Sequence, residues 1–134
     1  MTKTVLITGA NGGIGNALCS SFKNAGYFVI ATGRPEIANC DCDHYIQADL
    51  SDLVDNSDLL DQFKDNVFSV TQSLDTLVNN AALQILSSLS DLEIADFRKT
   101  LDVNLTAALA LTQIFERALT TSKGSVVNIG SIHA

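Results

Sequence analysis

Eight residues near the start of the chain, Thr8-Gly9-Ala10-Asn11-Gly12-Gly13-Ile14-Gly15, narrow the available folds more than any other stretch. They follow Thr4-Val5-Leu6-Ile7, a short, apolar, β-branched run of the kind that forms a strand buried on both faces. They lead into Ile14, Ala17, Leu18, Phe22 and Ala25, apolar residues at helical spacing, with Gly26 as a C-terminal stop. A strand that turns through glycines straight into a helix gathers backbone N–H groups at the helix N-terminus, where the aligned peptide dipoles favour an anion. The glycine pattern is weak by itself. Between a strand and a helix it points to a dinucleotide whose pyrophosphate rests on the helix end, with a purely structural turn as the competing reading. The candidate contacts are Thr8, Gly9, Asn11, Gly12, Gly13, Ile14 and Gly15.

The same strand-then-helix pattern continues along the chain. Tyr27 to Thr32 reads as a second buried strand, closed by Gly33-Arg34-Pro35, and His44-Tyr45-Ile46-Gln47 as a short third one. A helix is expected from about Ser57, with Leu59, Leu60, Phe63, Val67 and Val70 on one face. Asp75 to Asn79 is a fourth strand, and a loop follows through Ser90. A long helix then runs from about Asp96 to Thr121, carrying Phe97, Leu101, Leu105, Ala108, Thr112, Phe115 and Leu119, before a fifth strand, Ser125 to Ile129. Alternating strands and helices imply parallel pairing through right-handed crossovers, with helices on both faces. The expectation is one α/β domain over residues 1–134, a Rossmann-type doubly wound parallel sheet of order 3-2-1-4-5, truncated after strand five. A ligand should lie across the carboxyl ends of strands one and four, at the switch point.

Charge and composition restrict the partners. Eight basic against fifteen acidic residues give a formal charge of −7, which disfavours nucleic acid and anionic membranes. No apolar run reaches transmembrane length. Met-Thr-Lys followed at once by a strand leaves no room for a signal peptide, so a cytoplasmic chain with reduced Cys19, Cys40 and Cys42 is expected. Cys40-Asp41-Cys42-Asp43-His44 offers only three plausible ligands at a spacing unsuited to structural zinc, so no metal is expected and a polar loop is the reading. Ser131 beside His133 has no orienting acid and no nucleophile-elbow pattern, so a hydrolase pair is not expected.

At the end of the second strand no acidic residue is placed to read a ribose hydroxyl. Arg34 is there instead, with a guanidinium fork suited to a 2′-phosphate, so NADP is the expected cofactor and NAD the alternative; Glu36 could still reach a ribose hydroxyl. Asn104 is polar amid Leu101, Leu105 and Ala108 in a helix, so partial burial with hydrogen-bond partners is expected.

Four ordered segments resemble the short-chain dehydrogenase/reductase family. They are Thr8-Gly9-x-x-x-Gly13-x-Gly15, Asn79-Asn80-Ala81-Ala82, Asn104, and Gly124 to Ser131. The resemblance covers the chain from end to end and implies hydride transfer between NADP(H) and a small carbonyl or alcohol substrate. It assigns Ser131 to hold the substrate oxygen and Asn104 to anchor a water in a proton relay. It assigns Asp49 and Leu50 to adenine, and Asn80 and Ala81 to the wall of the cofactor groove; Asp49 could instead merely cap the following turn. Ala82 stands where the family usually has glycine. The family's Tyr-x-x-x-Lys pair lies about a dozen residues past the serine and has no counterpart in this sequence. The resemblance thus implies an amino-terminal part, inactive alone, of an enzyme expected to be a homo-oligomer at full length. It leaves the substrate's identity open.

Two alternatives remain. Thr8-Gly9-x-x-Gly12-x-x-Gly15 also fits the extended branch of epimerases and dehydratases, although Asn79-Asn80 favours the shorter branch. A non-catalytic dinucleotide-binding or sensing module is the other. The apolar edge from Ser125 to Ile129 and the apolar surface of the long helix predict self-association of residues 1–134.

Overall fold

The protein is described by a computed structural model that covers Met1–Ile132. Five strands, Thr4–Ile7 (β1), Phe28–Gly33 (β2), His44–Gln47 (β3), Thr76–Asn79 (β4) and Ser125–Asn128 (β5), form one parallel sheet in the order β3-β2-β1-β4-β5, as expected. β1 lies between two partners, with Leu6 level with Ile30 on one side and Leu77 on the other. Strand alternation then sorts the core. Leu6, Ile30 and Leu77 face one side; Val5, Ile7, Val29, Ala31 and Val78 face the other.

Gly13–Asn24 (α1) covers the second face, and Gly26 at φ +83° turns the chain out of it. The first face is covered by Ser57–Phe68 (α3) and Ala107–Ser122 (α5), where Phe115 packs edge-on against Phe63 and Phe68. α3 starts where expected because the Asn56 side chain accepts from the Asp58 and Leu59 amides. A short helix, Leu50–Val54 (α2), was not anticipated; Asp49 caps it by accepting from the Ser51 amide at 3.0 Å.

The long helix departs from a regular one. It begins as Ile94–Leu101 (α4), passes through a π turn at Asp102–Thr106, and resumes as α5. A π turn takes an extra residue and shifts which side chains face inward. Ala107, Leu111, Phe115 and Leu119 are buried, whereas Phe97, Leu101 and Leu105 point outward; Leu105 is 67% exposed. These three were read as part of one apolar helical stretch with Phe115 and Leu119, and they lie off its buried face on the far side of the π turn. β5 is exposed along its whole length, pairing only with β4 among the described residues.

Candidate functional site

Backbone, not side chains, forms the floor of the main cleft. After β1 the chain turns through Gly9 at φ +61°, a conformation glycine adopts without penalty. A Cβ on Gly9 would meet the Ala81 backbone at 2.7 Å, and one on Gly15 would collide with the Gly9 carbonyl and the Ala10 Cα. Glycine at both positions lets α1 start directly behind the ends of β1 and β4. The N-cap, Gly12, has no side chain to occupy the first amides of α1, and no acidic residue sits in the first turn. Those N–H groups are therefore directed outward at the switch point.

Thr8 holds this turn in place. Its side chain is buried, and its hydroxyl accepts from the Asn80 amide at 3.0 Å and the Ala81 amide at 2.9 Å while donating to the Val78 carbonyl at 3.4 Å. The Asn80 side chain returns the link, donating to the Thr8 and Gly9 carbonyls at 3.1 and 3.2 Å. Asn11 is similarly engaged, donating to the Tyr45 hydroxyl and accepting from the Asn39 amide. Thr8 therefore lies beneath the cleft instead of lining it, and Asn80 and Asn11 spend much of their polarity on the scaffold.

The cleft has a volume of about 470 Å³. Gly9, Asn11, Gly12, Gly13, Ile14 and Gly15 line it from the glycine turn, Arg34 from the end of β2, Asp49 and Leu50 from the end of β3, and Asn80 and Ala81 from the end of β4. Eleven of the expected positions thus converge on one concavity. Asp49 caps α2 with one carboxylate oxygen, and its other oxygen lies 3.8 Å from the Lys99 ammonium on the cleft wall. Burial alone would raise its pKa, but the Ser51 hydroxyl and amide, with the charges of Lys99 and Arg34, outweigh burial and hold it below the usual carboxylate value. Leu50 is buried in the core as well as facing the cleft. Of the loop from Leu83 to Ser90, only Leu83 reaches the cleft wall.

Several lining residues were not among the expected site positions, and two of them come from the long helix. Lys99 and Val103 reach the cleft from α4 and the π turn. Their signal was position: Val103 directly precedes Asn104, and Lys99 lies about one helical turn earlier.

Asn104 differs from expectation. Its residue is exposed, not partly buried, because the π turn rotates it off the inward face. It does have the expected partners, accepting from the Leu83 amide at 2.7 Å and donating to the Leu83 carbonyl at 2.9 Å. A small cavity of about 50 Å³ beside the main cleft is lined by Asn104 together with Thr8, Asn79 and Val103. Ser131 follows β5, is exposed and lines neither cavity. His133 lies outside the described residues. Among the described residues no group of three or more His, Cys, Asp or Glu side chains is arranged to hold a metal ion, and His44 instead pairs with Asn66.

A 3-2-1-4-5 parallel sheet with an uncapped helix end open at its switch point defines a Rossmann-type α/β protein. Comparison with known proteins narrows the class. The pattern of the family described as short chain dehydrogenase matches residues 3–134, and the chain belongs to that family. It is 36% identical over 135 residues to the NADPH-dependent 1-acyldihydroxyacetone phosphate reductase of Schizosaccharomyces pombe, covering 97% of this chain and 45% of that protein. Among solved structures it resembles a short-chain dehydrogenase/reductase family oxidoreductase from Brucella ovis in complex with a partially ordered NAD. The TM-score is 0.84 at 30% identity, over 98% of this chain and 64% of that one. A 4-hydroxyisoleucine dehydrogenase complexed with NADH gives a TM-score of 0.84 at 31% identity, covering 98% of this chain and 56% of that one. The chain spans about half the length of the relatives it matches. No helix among the described residues is long and apolar enough to cross a membrane.

Proposed function

We propose that this chain is the cofactor-binding part of a cytoplasmic, NADP(H)-preferring oxidoreductase that acts on a small carbonyl or alcohol. The observation that carries the reading is the pairing, in one cleft, of the uncapped α1 N-terminus with Arg34 at the end of β2. The first suits a pyrophosphate and the second a 2′-phosphate. The cradle also fits on steric grounds: a Cβ at Gly13 would meet nothing within 4 Å, so that face of the turn is open to a ligand.

The bound nicotinamide supplies hydride chemistry; the chain's residues orient it and manage the substrate oxygen. Gly13 and Ile14 offer backbone donors to the pyrophosphate, while the Gly12 amide closes the turn onto the Gly9 carbonyl. Asp49, held ionised, accepts from the adenine amino group, and Leu50 and Val103 flank the ring. Ser131 donates a hydrogen bond to the substrate oxygen, and Asn104 orients a water for proton delivery. With no Tyr-x-x-x-Lys in the sequence, residues 1–134 alone do not reduce ketones with NADPH at a useful rate, since general acid catalysis is worth about 10²–10⁴-fold.

Calorimetric titration of both cofactors tests the reading. Arg34→Ala should weaken NADPH binding about tenfold or more and leave NADH binding nearly unchanged, as expected for loss of a charge-assisted phosphate contact. An unchanged NADPH/NADH ratio would remove Arg34 from the role.

A further inference from the structure

Three thiols, one from α1 and two from the loop between β2 and β3, meet on the α1 side of the sheet. Cys19 is buried in α1 against the cluster of Val5, Ile7 and Val29, and Cys40 and Cys42 pack onto the same cluster from the loop between β2 and β3. Cys40 and Cys42 thus share with Cys19 the apolar cluster on this face. His44, close to this pair in sequence, turns away toward Asn66 at 2.9 Å, and it is Cys19 that shares the cluster with them.

The chain on either side of Cys40 is fixed to α1 and to the sheet. Just before it, the Asn39 amide donates to Asn11 Oδ1 and the Asn39 carbonyl accepts from Asn16 Nδ2, each at 2.6 Å. Just after Cys42, Asp43 bonds Lys23 of α1 at 2.6 Å and the Val29 amide at 2.7 Å. Cys40 is therefore held over Cys19 by four hydrogen bonds that do not involve sulfur. Such fixed proximity is what a disulfide requires, because the two Cβ atoms must sit within about 4.5 Å of one another.

We infer that Cys19 and Cys40 form a thiol–disulfide exchange site for a low-molecular-weight disulfide, closing to an internal bridge that ties the β2–β3 loop to α1. Cys40, partly exposed, loses its proton to solvent and attacks one sulfur of the small disulfide. That S–S bond breaks, one small thiol leaves, and a mixed disulfide remains on Cys40. Cys19 then gives up its proton and attacks the Cys40 sulfur, the mixed bond breaks, and the second small thiol leaves. Two protein thiols are oxidised by two electrons, and one small disulfide is reduced to two thiols. Burial, first among the causes, pushes all three thiols up, Cys40 and Cys42 to about 11. Little thiolate is present at neutral pH, so exchange is slow there in both directions and the bridge, once made, is long-lived.

The test equilibrates the native protein with oxidised and reduced glutathione at mildly alkaline pH, followed by acid quenching, alkylation and peptide mass spectrometry. The expected product is a Cys19–Cys40 linked peptide pair in the wild type and in Cys42→Ala, with a melting temperature raised on the order of 10 °C by closing the intervening loop. Cys19→Ala should retain only glutathione adducts or free thiols. If that variant fails to fold, the Cys42→Ala result decides the matter. A wild type that ends with three free thiols, with glutathione adducts alone, or with a Cys40–Cys42 bridge in place of Cys19–Cys40 overturns the proposal.

Discussion

β1 and β5 are four-residue parallel strands that both border β4, and they read alike as Thr-Val-Leu-Ile and Ser-Val-Val-Asn. Their environments are opposite. Val5, Leu6 and Ile7 are fully buried, whereas Val126 and Val127 are 37% and 40% exposed. β1 has a strand on each side and helices above and below; β5 has one strand partner among the described residues. Burial at a strand is thus conferred by its neighbours, and a β-branched run reports only that a strand can be buried.

The sharpest way to test this contrast is truncation at matched depth. Leu6→Ala should destabilise by about 3–4 kcal/mol, since it leaves a cavity between two layers. Val127→Ala should cost under about 1 kcal/mol, because its side chain is already partly in water. Urea denaturation of both variants measures the difference, and near-equal losses would break the comparison.

A second test moves to the start of α1, where the chain leaves β1. Gly15→Ala forces a methyl into the Gly9 carbonyl and should cost about 2–3 kcal/mol through backbone displacement. Gly13→Ala, one turn position away with open space around it, should be neutral or stabilising by about 0.5 kcal/mol. Thermal melts of the pair distinguish a crowded turn from one that merely contains glycine.

The smallest effect is at the opposite edge of the sheet, where Asp43 links β2, β3 and α1. Burial favours its neutral form, yet the Lys23 ammonium and the Val29 amide outweigh burial and hold the carboxyl below its usual value. A depressed folded pKa stabilises the native state above the unfolded value near 3.8, and the contribution disappears as pH falls through the lower folded value. Wild type should therefore lose more stability than Asp43→Asn on acidification below about pH 4. At neutral pH the variant should be weaker by about 1 kcal/mol. Parallel pH-dependent melts of the two proteins would show coincident curves if the pair contributes nothing.

The strand order and the converging cleft residues were legible because they depend on local signals that repeat: strand, turn, helix. Asp49 and Leu50 could be placed because they end a strand. What could not be read was set by geometry between distant segments. Asn104 was expected on an inward face because the helix was read at an unbroken 3.6-residue period, and one π turn undoes that inference. Thr8 reads as a ligand contact until Asn80 and Ala81 arrive to take its hydroxyl. Lys99 enters the cleft only because the fold brings α4 beside Asp49, just past the end of β3. Cys19 is an unremarked helix residue until the β2–β3 loop folds over it.

The Thr8 hydroxyl also bears on when the cleft can exist. Its acceptor role is filled by residues more than seventy positions later, and the Thr8 amide itself bonds the Val78 carbonyl. The first βα unit can nucleate early from its own local contacts, but bringing residues 78–81 beside it closes a long loop and comes late. During synthesis the glycine turn is therefore an unfinished receptor until Ala81 has emerged and docked. A nascent chain halted before that point would hold the whole glycine motif and still lack the clamp that shapes it.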